Sequence, residues 1–420
     1  MPKITPPPGV NDIFPEEISN WYELEDTARR IFPLYGYGEI RTPIFEYTEV
    51  FQRGLGDETE VVKKEMYSFE DRGGRSLTLR PEGTAGVMRA MAATDAPNGI
   101  EHRVFYMGPM FRGERPAAGR KRQFHQIGVE NAGRSACPGL DAECIIMLCH
   151  YLKEAGISGY NLLLNTRGVH SDRPAAEQAL REYFAPHIAN MCDDCKERYQ
   201  RNIWRILDCK QEGCRKIIDT APNAADFFST ESKDYFKRVC DLLADQNINF
   251  IVDPKLVRGL DYYVHTVFEL THTGLGGSNA IAGGGRYELT LPGLKNPLPG
   301  VGFAMGMERL LIVRETLNVH SKGQEGPQLF LASMGTETLR FNADLAMKLR
   351  QRNCSVALEY EEKSLKSQFR SADRLNAKFT LTIGDSELAN HQGKIKCMSD
   401  GKEISVSLDA DSILSNLNKN

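Results

Sequence analysis

The apolar residues in the first half of the chain recur at two different spacings, which together predict a mixed α and β region. Apolar side chains repeat at helical intervals over residues 15–34, and Gly36 ends this helix. Residues 39–46 are typical of a strand with Pro43 near a sheet edge. Further strands are predicted at residues 76–81, 104–107, 127–130 and 250–252.

The pattern changes twice further along the chain. Residues 168–245 indicate helices around a cysteine-bearing patch, and we interpret them as an insertion. After a linker at 321–327, strands and helices alternate in a βαβαβ order, which predicts a small α/β domain with a parallel sheet core. We therefore expect a larger domain over residues 1–325 and a small α/β domain over residues 326–420.

Composition narrows the classes of function. The net charge of −4 over 420 residues argues against a histone-like polycation but leaves RNA binding through a local basic face open. No apolar run approaches the roughly 18–20 residues needed to cross a bilayer, and the N-terminus lacks the apolar core of a signal peptide. We therefore expect a cytoplasmic protein with no membrane partner.

A cluster of cations lies between two predicted strands, over residues 111–126. Arginine is suited to binding carboxylates and phosphates, because its planar guanidinium group donates two parallel hydrogen bonds to their oxygens. By itself, such a loop is more commonly a solvated charged hairpin. The cations are Arg112, Arg115, Arg120, Lys121 and Arg122.

Two further segments combine cations, acids and phenols. Residues 256–263 contain Arg258, Asp261 and the adjacent Tyr262 and Tyr263 in a strand-like run, closed by residues 266–269. On a strand, the two tyrosines would face opposite sides. Residues 282–287 follow with three glycines ahead of an arginine and a tyrosine.

Taken together, residues 256–269 and 282–287 resemble the segments that line the histidine pocket of histidyl-tRNA synthetases. The charged hairpin resembles the second motif of class II synthetases, and residues 300–310 resemble the third. The resemblance implies an α+β catalytic domain, with an antiparallel sheet flanked by helices and a helical insertion, followed by a C-terminal α/β anticodon-binding domain. It also implies a homodimer that joins L-histidine to tRNA(His) at the expense of ATP, with Mg²⁺ accompanying the ATP.

The resemblance also assigns residues to the nucleotide. Arg112 would bridge the α-phosphate and the substrate carboxylate, and Arg258 would be a second catalytic cation at that phosphate. Glu114 would accept from the adenine amino group, Phe124 would stack on the base, and Arg309 would hold the γ-phosphate.

The remaining assignments concern histidine and tRNA. Gln126 and Glu130 lie four residues apart on one strand and so point to the same face. Arg286 and Tyr287 are expected to close the pocket. The histidine set implied by the resemblance is Glu82, Gly83, Thr84, Arg112, Gln126, Glu130, Arg258, Tyr262, Tyr263 and Tyr287. The tRNA set is Arg115, Arg120, Lys121, Arg122, Lys363, Lys366 and Arg370, the last three on one basic helix face.

The ten cysteines fit no secreted disulfide framework, and four of them lie in the insertion. Cys192 and Cys195 have metal-ligand spacing, whereas Cys209 and Cys214 are loosely spaced. We expect solvent-side thiols here, with a four-thiolate zinc site as the alternative.

Two other functions remain as alternatives. One is the synthetase-like regulatory subunit of the first enzyme of histidine biosynthesis, which lacks an anticodon domain. The other is a class II ligase for proline, threonine or glycine, which would lack the segment from Arg258 to Tyr263. The second predicted domain and the joint presence of Arg112, Arg258 and Arg309 argue against the regulatory subunit.

Overall fold

The computed structural model describes residues 4–56, 59–117, 119–260, 262–276, 279–320 and 326–417. The chain divides into two compact units, Met1–Ser321 and Lys322–Asn420. Asp261 and most of the predicted linker lie outside the described residues. Among the helices that are described, none combines the length and apolarity needed to cross a membrane.

Unit 1 contains nine described helices and eleven described strands. The helices are α1 (Pro15–Ile31), α2 (Thr48–Leu55), α3 (Thr84–Ala92), α4 (Pro138–Glu154), α5 (Arg173–Phe184), α6 (Asp193–Arg201), α7 (Glu212–Ile218), α8 (Thr230–Asp245) and α9 (Met307–Thr316). The strands are β1 (Gly38–Glu39), β2 (Phe45–Tyr47), β3 (Tyr67–Glu70), β4 (Ser76–Leu79), β5 (His102–Phe111), β6 (Gln123–Ala132), β7 (Asn161–Thr166), β8 (Ile251–Val252), β9 (Tyr263–Thr271), β10 (Ala280–Leu289) and β11 (Leu298–Gly306).

Eight of these strands form one sheet in the order β1-β5-β6-β11-β10-β9-β7-β8. The six central strands pair antiparallel, and only the short edge strands β1 and β8 pair parallel to their neighbours. The helices α1, α4, α8 and α9 contribute buried apolar residues to one core with this sheet. The predicted antiparallel sheet flanked by helices is therefore confirmed.

The strand predicted over residues 39–46 is wrong as a single element. The chain leaves the large sheet after β1, and it pairs again only at β2, in a separate sheet with β3 and β4. Pro43 lies in the gap between them. Proline has no amide hydrogen to donate to a strand ladder, so an unpaired stretch is accommodated there.

The inserted region packs as two parts. A separate apolar cluster extends from Ala176 to Phe228 and includes α5, α6 and α7. By contrast, Val239 and Leu243 of α8 are buried in the main core. We call the part from Ala176 to Phe228 the cysteine module.

Unit 2 has a five-stranded sheet in the order β13-β12-β14-β15-β16. Its strands are β12 (Leu329–Ser333), β13 (Val356–Leu358), β14 (Phe379–Ile383), β15 (Gln392–Cys397) and β16 (Glu403–Ser407). Its helices are α10 (Thr336–Arg350), α11 (Leu365–Arg374), α12 (Asp385–Asn390) and α13 (Ala410–Leu417). The predicted parallel core is confirmed for β13, β12 and β14, and the sequence did not predict the antiparallel hairpin of β15 and β16.

Candidate active site

Three guanidinium groups from distant parts of the sequence line one cleft on the large sheet. Arg112 follows β5, Arg258 precedes β9, and Arg309 lies in the first turn of α9. Glu114, Arg120, Lys121 and Phe124 of the charged hairpin line the same cleft. A cleft with several fixed cations is suited to an anionic ligand such as a nucleotide phosphate.

Arg112 and Arg309 are both oriented by backbone carbonyl groups. Arg112 Nε donates to the carbonyl of Pro81 at 2.8 Å, and its guanidinium carbon lies 5.3 Å from the centre of the Phe124 ring. Arg309 Nε donates to the carbonyl of Gly119 at 2.9 Å. A backbone carbonyl therefore holds the Nε of each guanidinium group, and Nη1 of Arg309 also donates to the carbonyl of Ala280 at 2.5 Å.

Arg258 pairs with an acidic residue and occupies space that a glycine leaves free. Its Nη1 donates to Oε2 of Glu269 on β9, and its side chain is 23% exposed. A methyl group added at Gly283 would lie 2.5 Å from the Arg258 guanidinium group, closer than such atoms can approach. Gly283 on β10 therefore leaves the space that this arginine occupies.

Glu130 forms the buried end of a polar pocket next to the arginines. Its Oε1 accepts from the Thr84 hydroxyl and its Oε2 from the Tyr287 hydroxyl, both at 2.6 Å. Burial, with a smaller contribution from the charge of Glu82, raises the pKa of Glu130 to about 8, although the two hydroxyl bonds oppose the shift. A cationic or N–H-bearing ligand would favour the ionised form of this acid.

The Glu-Gly-Thr segment joins this pocket to helix α3. Glu82 accepts from the backbone amides of Thr84 at 2.8 Å and Ala85 at 2.7 Å, so its carboxylate caps the helix. A Cβ at Gly83 would lie 2.1 Å from the Tyr106 ring, which explains the glycine.

Gln126 and Glu130 both line the cleft from β6, and the buried Oε1 of Gln126 has no protein partner. An unpaired buried acceptor is costly, so this atom is suited to binding a ligand donor.

Two predictions about this region are wrong. Residues 256–262 do not form a strand, since β9 begins only at Tyr263, so strand alternation does not separate the tyrosines. Tyr262 and Tyr263 both line the cleft, with ring centres 4.7 Å apart. Arg286 lies on the opposite face of β10 from Tyr287, where its Nε donates to Asp141 at 2.7 Å, and it does not close the pocket.

The residues proposed for tRNA lie in several environments. Arg120 and Lys121 line the cleft, Arg115 is exposed, and Arg122 Nε donates to the Glu114 carbonyl at 3.4 Å. In unit 2, Ser364 caps α11 by accepting from the amide of Ser367 at 3.3 Å. Of the three cations predicted on this helix face, Lys366 and Arg370 lie on α11 and are exposed. Lys363 precedes the helix, where its ammonium group pairs with Glu359 at 2.7 Å.

Sequence reasoning missed two acids of the site. Glu269 was noted in the closing segment but given no role, and it is the partner of Arg258. Glu308 accepts from the backbone amide and the ring Nδ1 of His125, which fixes the end of the hairpin against α9. Glu269 was visible in the sequence, but its pairing with Arg258 depends on how the loop before β9 folds back on that strand.

The expectation of solvent-side thiols in the cysteine module is wrong for three of the four residues. Cys195, Cys209 and Cys214 are buried, and Cys192 is half-buried. The four sulfur atoms all lie within 4.8 Å of one another.

An antiparallel sheet with convergent arginines, a charged hairpin and a polar pocket defines this chain as a class II aminoacyl-tRNA synthetase. The family model described as histidyl-tRNA synthetase matches residues 9–310, and the anticodon binding domain model matches residues 328–417. The chain belongs to the histidyl-tRNA synthetase family.

Individual relatives agree with this assignment. The chain is 43% identical over 412 residues to a histidine–tRNA ligase from Halothermothrix orenii, covering 96% of each chain. It is 43% identical over 408 residues to a histidine–tRNA ligase from Bacillus licheniformis, again covering 96% of each. Among solved structures, it is similar to apo histidyl-tRNA synthetase from S. aureus, with a TM-score of 0.82, 36% identity, and coverage of 99% and 100% of the two chains. The predicted family and fold are confirmed.

Proposed function

We propose that this chain joins L-histidine to tRNA(His) in two steps. In the first, the histidine carboxylate attacks the α-phosphorus of ATP, which gives histidyl-adenylate and pyrophosphate. In the second, a hydroxyl group at the 3′ end of the tRNA attacks the activated carbonyl and AMP leaves. The observation that carries the proposal is the cleft in which three guanidinium groups lie beside a pocket of acids and phenols.

For activation, the chain must bring a carboxylate and a triphosphate together while negative charge develops on phosphorus. We assign this role to Arg112, which would bridge the substrate carboxylate and the α-phosphate, and to Arg258, which would neutralise the same phosphate from the other side. Arg309 would hold the γ-phosphate. Preorganised cations of this kind stabilise the transition state more than the ground state. Mg²⁺ would arrive with ATP as part of the substrate complex.

The base would lie near the hairpin. We assign Phe124 to stacking on adenine and Glu114 to accepting from the adenine amino group. Both residues line the cleft, and Phe124 is already packed against the Arg112 guanidinium group. This arrangement would place the triphosphate between Arg112 and Arg309.

Histidine would occupy the polar pocket. Glu82 and Thr84 would bind the ammonium group, with Gly83 leaving room for the neighbouring Tyr106 ring. The imidazole ring would lie against Tyr263, with Tyr262 and Tyr287 nearby, and would donate to Glu130 or Gln126. Such a site rejects analogues that leave its polar groups unpaired, by about 10⁴-fold in good cases.

The tRNA would contact both units. We assign its acceptor end to the hairpin cations Arg115, Arg120, Lys121 and Arg122. We assign its anticodon side to Lys366 and Arg370 on α11 of unit 2, with Lys363 just before that helix. A homodimer and a cytoplasmic location belong to the same proposal.

ATP–pyrophosphate exchange with each of the twenty amino acids tests this function. We expect exchange with histidine alone. The Arg258→Ala variant should lose about 10²–10³-fold in exchange rate, because one fixed donor to the developing charge is removed, while ATP still binds. Exchange that depends on a different amino acid, or no exchange with any of the twenty, would refute the proposal. Normal exchange in Arg258→Ala would refute the role of that arginine.

A further inference from the structure

The cysteine module contains a cluster of sulfur atoms that the ligation reaction does not use. Cys192 immediately precedes α6 and Cys195 lies in its first turn, while Cys209 and Cys214 flank the start of α7. Of the ten cysteines in the chain, these four alone bring their ligand atoms to one place among the described residues, all within 4.8 Å of one another. A free buried thiol usually packs as a small apolar group, which gives no reason for four sulfurs to converge.

The separations are those of a metal site rather than of disulfides. In a tetrahedral site with Zn–S bonds of about 2.3 Å, neighbouring sulfurs are about 3.8 Å apart. The sulfurs of Cys192 and Cys209 are 3.7 Å apart, whereas a disulfide needs about 2.05 Å. The backbone amide of Cys192 also points at the sulfur of Cys214, at 3.3 Å. Such a bond to sulfur stabilises a thiolate and is typical of the surroundings of metal ligands.

The elements that carry the four cysteines are also tied to one another. Between the two cysteine pairs, a 3₁₀ turn over Ile203–Asp208 places Ile203, Ile206 and Leu207 in the core of the module. From α6, Arg198 donates to the Arg205 carbonyl at 3.1 Å, and from α7, Arg215 donates to the Leu207 carbonyl at 3.3 Å. The ligands are therefore held by a folded framework, and a structural metal ion is one of the means by which a small apolar core is stabilised.

We propose that Cys192, Cys195, Cys209 and Cys214 bind one structural Zn²⁺ ion per chain, as four thiolates that release their protons on binding. The soft sulfur donors and tetrahedral arrangement favour zinc over Mg²⁺ or Ca²⁺. All four positions are filled by protein ligands, so the ion has no open site for catalysis.

The position of the site suggests what the metal stabilises. Leu207 and Cys209 line the same groove as Leu256, Val257 and Glu269, which surround the segment that carries Arg258. On the same side, the Lys255 ammonium group donates to the carbonyl of Pro222 in the module at 3.4 Å. The metal would thus hold the module that supports the Arg258 segment.

Metal analysis of the full-length protein tests this inference without relying on activity. The protein, purified under reducing conditions and then incubated with Zn²⁺ and desalted, should retain one equivalent of zinc per chain. A mercurial reagent should release that zinc as four thiols react, and replacement by Co²⁺ should give the visible absorption of tetrahedral thiolate coordination. Retention below half an equivalent overturns the proposal.

Variants and thiol counts complete the test. Cys209→Ser and Cys214→Ser should each lower the retained zinc at least several-fold, whereas Cys240→Ser, at a half-buried thiol of α8 outside the cluster, should leave one equivalent. Thiol titration of the unfolded, metal-free protein should detect all ten cysteines. A count of eight or six thiols, which indicates disulfides, overturns the proposal. Full zinc retention in Cys209→Ser also overturns it.

Discussion

Replacing Glu130 by glutamine tests the electrostatics of the buried pocket in the absence of any ligand. Glu130 is 1% exposed, and burial raises its pKa to about 8 from the 4.5 of an unperturbed glutamate. Between these two values, the folded protein keeps the proton that the unfolded chain has released. The carboxyl group of unliganded Glu130 is therefore mostly neutral at pH 7, and glutamine is its close neutral analogue.

The sign of the pH effect follows from this difference. A pKa raised in the folded state contributes stability that is fully present below about pH 4.5 and is lost as the pH rises through about 8. Within that window, the free energy of unfolding of the wild type falls by about 1.4 kcal/mol per pH unit from this group, or roughly 4–5 kcal/mol in all. Glu130→Gln removes this slope. The variant should match the wild type within about 1 kcal/mol at pH 5 and should exceed it by several kcal/mol at pH 8.

Urea unfolding at a series of pH values, followed by tryptophan fluorescence, measures this difference. Both tryptophans, Trp21 and Trp204, lie in unit 1, so unit 2 does not contribute to the signal. Taking the variant minus the wild type cancels the other titrating groups. Tyr287→Phe is the companion variant: it keeps the acid but removes a hydroxyl bond that lowers its pKa, so the slope should extend to higher pH. A difference between Glu130→Gln and wild type that stays constant from pH 5 to pH 8 would refute the reasoning.

Two further predictions concern the arginine cleft and unit 2. Gly283→Ala should displace the Arg258 side chain and lower histidine-dependent exchange by about 10²-fold, close to the loss in Arg258→Ala. The control is Gly38→Ala, because a methyl group added at Gly38 meets nothing within 4 Å. Equal exchange in the two glycine variants would contradict the role of this close approach. Reversing the charges of Lys366 and Arg370 to glutamate should raise the KM for tRNA by about tenfold or more and leave exchange unchanged, because phosphate contacts are lost. An equal effect from Arg340→Glu on α10, or a matching loss of exchange, would contradict the assignment.

Periodicity and the order of the motifs placed several of the predicted residues in one cleft. Gln126 and Glu130 were expected on one face of a strand, and both line the cleft from β6. Arg112, Arg258 and Arg309 were grouped only through the family resemblance, since nothing in their spacing says that a sheet brings them together. The antiparallel strand order β5-β6-β11-β10-β9 provides that proximity, because Arg112 follows β5, Arg258 precedes β9 and Arg309 follows β11.

The errors arose where a local rule was applied outside the element to which it belongs. Strand alternation separates neighbouring residues only within a strand, and Tyr262 lies before β9 begins, so it shares the cleft with Tyr263. The same alternation, applied within β10, would have separated Arg286 from Tyr287. Instead, the glycine-rich motif led us to place both at the pocket, and Arg286 is paired with Asp141 on the other face.

The cysteine module shows a different limit of sequence reasoning. Ligand spacing was judged for each cysteine pair separately, and the loose spacing of Cys209 and Cys214 argued against zinc. Whether two pairs converge depends on the chain between them, which here forms the turn Ile203–Asp208 and buries Ile203, Ile206 and Leu207. The apolar side chains of that turn place the second pair beside the first, so the geometry of the sulfurs depends on residues that bind no metal. A search for thiolate sites that weighs the apolar residues between cysteine pairs, as well as the spacing within each pair, would have favoured the zinc alternative from the sequence.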